Sequence, residues 1–132
     1  MLLVDTNVLA YLLIEGDRTH AAQALYERDP DWRSETFILV EFSNILATYV
    51  RTRALTLEKS LELLASAQEV IPALASSSHT HALETAAQLC ISAYDSRFIS
   101  VAKELGTKLI TEDAKLRTAA PQWTLSIDEA LH

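Results

Sequence analysis

Met1-Leu2-Leu3-Val4 is an uninterrupted apolar run, and it gives way at Asp5-Thr6-Asn7 to Val8-Leu9-Ala10-Tyr11-Leu12-Leu13-Ile14. An apolar run this short, without alternation, reads as a strand buried on both faces. Only three polar residues separate it from the next apolar stretch, so the strand feeds directly into a helix. That order of elements belongs to a parallel α/β sheet. Asn7 or Thr6 is the expected N-cap of the helix, and Gly16 its expected stop.

The same alternation runs through the chain. Ala22, Leu25 and Tyr26 recur at helical spacing from about Thr19 to Arg28, before Asp29-Pro30-Asp31. Ser34-Glu35 precedes Phe37-Ile38-Leu39-Val40, a run that suits either a strand or the start of a helix. Phe42, Ile45, Leu46, Tyr49 and Val50 form the stripe of an amphipathic helix ending near Arg53. Thr56 caps a further helix, and Glu69-Val70-Ile71-Pro72 reads as an edge strand. A helix is expected from about Thr80 to Ile91, and another opens at Ser92-Ala93-Tyr94-Asp95-Ser96 and stops at Gly106. Thr107–Thr111 is the next strand, Glu112-Asp113 leads into a short helix closed before Pro121, and Trp123–Ser126 is the last strand. Ser126 caps a terminal turn over Ile127–Leu131. The expected architecture is a three-layer α/β/α sandwich around a small, mostly parallel central sheet, formed by residues 1–132 as one domain.

Composition limits the function classes. With 49% apolar and 22% charged residues the chain has the balance of a globular domain. One cysteine, Cys90, cannot form an internal disulfide or a cysteine metal cluster; a reducing, cytoplasmic setting is expected, with Cys90 in the core. No apolar run approaches the length of a membrane span, and the start lacks the basic segment of a signal peptide. A net charge of −7 argues against gripping nucleic acid by bulk electrostatics, though a carboxylate site charged with divalent cations still admits nucleic acid as substrate.

In an open parallel α/β sheet, ligands bind beyond the carboxyl ends of the strands. Asp5 and Asp113 each come just after a strand, Asp95 opens the helix before the Thr107–Thr111 strand, and Glu41 sits inside an apolar stretch between Val40 and Phe42. Each aspartate alone is explained by helix capping or by a helix's first turn. Glu41 alone is explained by a partly exposed turn. Brought together, the four repel one another unless cations are present, and an all-oxygen set suits Mg²⁺ or Mn²⁺. One or two such ions clamping a phosphodiester imply its hydrolysis.

Taken in order, Leu-Val-Asp5-Thr6-Asn7-Val-Leu, Glu41 with Asn44 one turn later, Tyr94-Asp95-Ser96-Arg97-Phe98-Ile99-Ser100-Val101-Ala102 and Thr111-Glu112-Asp113 resemble the PIN-domain family over the whole chain. The likeness is greatest to the VapC-type toxins of type II toxin–antitoxin systems. The resemblance implies a Mg²⁺- or Mn²⁺-dependent endoribonuclease that acts on RNA, forms a homodimer and is inhibited by a cognate antitoxin. Asp5, Glu41, Asp95 and Asp113 would be its catalytic, metal-binding acids, with Thr6, Asn7, Asn44 and Thr111 as supporting polar groups. Many relatives carry a further acid two or three positions after the one matched by Asp113. Here Lys115 and Leu116 stand there, so one ion and two both remain open, with Glu112 as a possible substitute.

Arg97, which follows Asp95 within the same motif, is the best candidate to hold the RNA backbone, ahead of Arg51, Arg53, Lys115 and Arg117. His79 and His81 are read as loop residues, and Phe37, Phe42, Tyr49, Tyr94 and Phe98 as mainly core. Tyr11 and Tyr26 lie on the early helices, which the resemblance to the toxins implies as a partner surface. Two alternatives stand beside the ribonuclease: a DNA or structure-specific nuclease, and a PIN-like domain that binds RNA or a partner without cutting. A phosphotransferase using Asp5 as nucleophile is disfavoured, because Asn7 stands where a second aspartate is needed.

Overall fold

Leu3 and Val4 are fully buried, and their strand, β1 (Leu2–Val4), has a paired neighbour on each side. The computed structural model describes all residues from Met1 to His132. On one side β1 pairs with β2 (Trp32–Glu35), and β2 with the edge strand β3 (Leu74–Ala75); on the other it pairs with β4 (Leu109–Ile110), and β4 with β5 (Thr124–Leu125). All four pairings are parallel, with Leu2 opposite Trp32 and Leu3 opposite Leu109. The order β3-β2-β1-β4-β5 turns around at β1, so a crevice opens beyond the carboxyl ends of β1 and β4.

Eight helices flank this sheet. α1 (Thr6–Leu13), α2 (Thr19–Arg28), α3 (Phe37–Arg51) and α4 (Leu57–Val70) pack on one another, with α8 (Ile127–Leu131) against α2. α5 (His79–Leu89) packs on α6 (Asp95–Leu105), and α6 on β2 and β4. α7 (Ala114–Ala119) and a single 3₁₀ turn (Pro121–Trp123) lead into β5. Ile38, Phe42 and Leu46 of α3 recur every four residues and are buried, each worth about 1.5–3 kcal/mol of transfer free energy. α6 buries Phe98, Ile99, Val101 and Ala102. No helix is long and apolar enough to cross a membrane.

Several local expectations change. The run Phe37–Val40 is the start of α3, and the strand is the preceding Trp32-Arg33-Ser34-Glu35. Glu69 and Val70 finish α4; the edge strand begins at Leu74, past Pro72, which therefore withholds no ladder hydrogen bond. Asp5, not Thr6 or Asn7, caps α1, because its carboxylate reaches the Val8 N–H. α1 ends in extended backbone at Ile14, so Gly16 is not its stop, whereas Gly106 caps α6 at φ +63° as expected. Thr56 and Ser126 cap α4 and α8. Cys90 is exposed at the end of α5 at φ +55°, not in the core. His79 and His81 lie in the first turn of α5, not in a loop.

Candidate active site

Asp5 follows β1 directly and is 8% exposed. Its Oδ1 accepts the Val8 N–H at 3.1 Å, and its Oδ2 accepts the Thr111 hydroxyl. Thr111, just past β4, also accepts the Asp113 N–H at 3.1 Å, which ties the ends of β1 and β4 together through one side chain. Asp113 caps α7, its Oδ1 taking the N–H groups of Lys115 and Leu116 at 3.0 and 3.2 Å. Glu41 stands on the first half of α3, and Thr6 donates to its Oε1 at 2.6 Å. Asp95 is the first residue of α6, and its N–H donates to Ser92 Oγ at 3.0 Å. Capping and site duty thus coincide in Asp5 and Asp113, because a helix N-terminus beside a strand end both needs a carboxylate and presents it to the crevice.

These four acids line one cleft of about 640 Å³, together with Asn7, Asn44 and a wall of aromatic and aliphatic side chains. Burial pushes the Asp5 carboxyl up to about 6; the hydrogen bonds from Thr111 and Val8 oppose this, and the charges of Asp113 and Glu41 add to it. Burial also raises Glu41, with Asp95 and Glu35 adding and Thr6 opposing. Asp95 is raised by burial and then by Asp113. Each acid therefore feels another of the set, and only a cation or a proton relieves the repulsion. The donors are all oxygen, the set that suits Mg²⁺ or Mn²⁺. They line the cleft without closing into a cage, and nowhere do three acidic, histidine or cysteine side chains already stand at ion-holding distance.

Of the expected site residues, Asp5, Thr6, Asn7, Glu41, Asn44, Asp95 and Asp113 face this cleft, and Thr111 stands behind Asp5. Arg97 does not line it. Its Nε lies 2.7 Å from Glu35 Oε2, an ion pair whose N–H is not aligned for a hydrogen bond. Glu35 is fully buried and also accepts from the Thr36 hydroxyl and from the N–H groups of Phe37 and Ser77. The Arg97 charge is thus spent on a buried partner, which corrects its reading as a backbone grip for RNA. None of the fourteen lining residues is lysine or arginine. Glu112 pairs with Arg18 and lies outside the cleft, so it does not replace the acid that Lys115 and Leu116 lack.

Sequence reasoning missed Glu35 and misplaced Tyr94. Glu35 ends a strand that carries no apolar run, so nothing marked it as interior. Phe42 and Phe98 are core as expected, but Tyr94 is 62% exposed at the cleft and Tyr49 is 37% exposed. Tyr11 and Tyr26 are half-buried, with Tyr26 edge-on to Trp32 at 5.3 Å.

A family model for the PIN domain matches residues 2–121. The chain belongs to the PIN domain family. It is similar to Ribonuclease VapC3 of Pyrobaculum aerophilum, 24% identical over 124 residues that span 91% of this chain and 95% of that one. The crystal structure of PAE2754 from the same organism matches this PIN chain with a TM-score of 0.78 at 19% identity, over 98% of this chain and 92% of that one; this likeness concerns the fold alone.

Proposed function

We propose that this PIN protein is a divalent-metal-dependent endoribonuclease, the toxin of a type II toxin–antitoxin pair. The observation that carries the reading is the meeting of Asp5, Glu41, Asp95 and Asp113 in one cleft at the turning point of a parallel sheet. Membership of the PIN family and the likeness to a protein named Ribonuclease VapC3 support it. Asp5, Asp95, Asp113 and Glu41 would hold one or two Mg²⁺ or Mn²⁺ ions. A bound ion supplies Lewis-acid polarisation of the phosphate and a water of lowered pKa. Thr111 orients Asp5, and Thr6 orients Glu41, so the carboxylates meet the ion with few rotamers to freeze. The pairing of Glu112 with Arg18 favours a single well-held ion over two.

The same reading includes a homodimer and an antitoxin partner. Exposed Leu57 and Leu61, which line an apolar groove between α3 and α4, support a protein contact there.

The test is cleavage of a mixed RNA pool by the wild type, Asp5→Asn and Asp95→Asn, with EDTA, Mg²⁺ or Mn²⁺. The expected result is cuts at defined sites that need the metal and vanish in both variants. Folded wild type that leaves RNA intact but cuts DNA, or binds RNA without cutting, would overturn the ribonuclease reading.

A further inference from the structure

Tyr94 immediately precedes Asp95 and caps α6 with no side-chain hydrogen bond. The residue is 62% exposed, yet its ring is held in place. Phe37, at the start of α3, stacks on it with centroids 5.4 Å apart and planes 17° from parallel. Phe37 is itself braced, because the Arg97 guanidinium carbon lies 5.8 Å from its ring centroid and that arginine is ion-paired with buried Glu35. Three elements thus support one aromatic face beside the acidic cleft, which Phe37 and Tyr94 both line.

A polyanion entering this cleft meets no lysine or arginine among the lining residues. The grip that usually comes from basic side chains must come from elsewhere. Single-stranded nucleic acid has a second handle, since any unpaired base offers a π-face to an aromatic ring. We propose that Tyr94, braced by Phe37, is a stacking subsite for an unpaired nucleobase of the RNA strand next to the bond to be cut. The subsite deepens the endoribonuclease reading and rests on it for the identity of the strand. Tyr94 and Asp95 are neighbours, so the base and the phosphate of one nucleotide meet the ring and the carboxylate cluster together. A paired base has both faces covered by its neighbours in the duplex, so the subsite selects loops and single strands over helices.

The test separates binding from cutting. A 12-nucleotide single-stranded RNA carrying 2-aminopurine is titrated into protein bearing Asp113→Asn, in Mn²⁺, with Tyr94 intact or replaced. Tyr94→Ala should weaken binding about 5- to 150-fold and abolish quenching of the 2-aminopurine. Tyr94→Trp should bind within about threefold of the tyrosine form. The same strand annealed to its complement should bind as weakly as it does to Tyr94→Ala. Equal affinity of the Tyr94→Ala and Tyr94 proteins would overturn the proposal, and so would a loss in Tyr94→Trp as large as that in Tyr94→Ala. RNA cutting is then scored separately with Asp113 intact. Tyr94-dependent quenching without any cutting keeps the subsite and removes the nuclease; cutting that is indifferent to Tyr94→Ala in rate and in base preference removes the subsite and keeps the nuclease.

Discussion

Replacing Asp5 with asparagine removes a carboxyl that burial holds at a pKa of about 6, against an ordinary 3.8. The folded protein binds that proton more tightly than the unfolded chain does, so the ionised form opposes folding. The opposition is small below about pH 4, grows as the pH rises toward 6, and is complete above about pH 7. Between about 6 and 3.8, at 1.36 kcal/mol per pH unit, it amounts to about 3 kcal/mol. Asparagine keeps an oxygen for the Val8 N–H, and its amide faces Thr111, where exchanging the hydrogen bond costs about 0.5–1.5 kcal/mol. Asp5→Asn should therefore be more stable than the wild type at pH 7.5 by about 2 kcal/mol, a rise of roughly 5–10 °C in the melting midpoint. The advantage should shrink as the pH falls, vanish between about pH 4 and 5, and reverse below that by up to the cost of the exchanged hydrogen bond, about 0.5–1.5 kcal/mol. Mn²⁺ at a hundred times its Kd should stabilise the wild type by about 2.7 kcal/mol and the variant hardly at all. Thermal melts from pH 4 to 8, with EDTA or Mn²⁺, read all of this. If Asp5→Asn is the less stable protein at pH 7.5, or if its difference from the wild type ignores pH, Asp5 is a plain helix cap and the reasoning fails.

Thr111→Val keeps the shape of the side chain but takes one hydrogen bond from Asp5 and an acceptor from the Asp113 N–H. Calorimetric titration should show Mn²⁺ affinity lower by about 10- to 100-fold, and unchanged affinity would contradict the orienting role. Arg97→Met strands the fully buried Glu35 charge and should cost about 3–5 kcal/mol in urea melts. Adding Glu35→Gln to that variant should restore part of the loss, while a loss below about 1 kcal/mol would show that the pair is not buried as described. Cys90→Gly relieves a left-handed residue at the end of α5 and should raise stability by about 0.5–1 kcal/mol, measured in the same melts under reducing conditions.

The helices and β1 were legible because their apolar residues recur at the right period. β2 was not, because Trp32-Arg33-Ser34-Glu35 looks like a turn. Its polar members are interior because partners elsewhere in the chain meet them: the Ser34 hydroxyl donates to the Val4 carbonyl at 2.7 Å, and Arg97 faces Glu35. Such tertiary pairing leaves no local pattern. The acids could be read as a set because strand ends in a parallel sheet share one edge. Their tuning by Thr6 and Thr111 could be guessed from type and position. Tyr94 reads as core but lies at the rim, because nothing local separates the two for an aromatic residue before a helix start. Arg97 shows the limit most clearly, since its position two residues after Asp95 said nothing about the glutamate 62 residues earlier that claims it.

β1 is made first but sits in the middle of the finished sheet, between β2 and β4. During synthesis its second edge therefore stays open until residues 109–110 emerge, and Asp5 waits as long for Thr111 and Asp113. A fragment ending at Gly106 should lack a cooperative melt and a Mn²⁺-dependent shift. The cleft thus comes into being only once residues 109–113 have joined the sheet, and until then a nascent chain holds Asp5 without the partners that tune it.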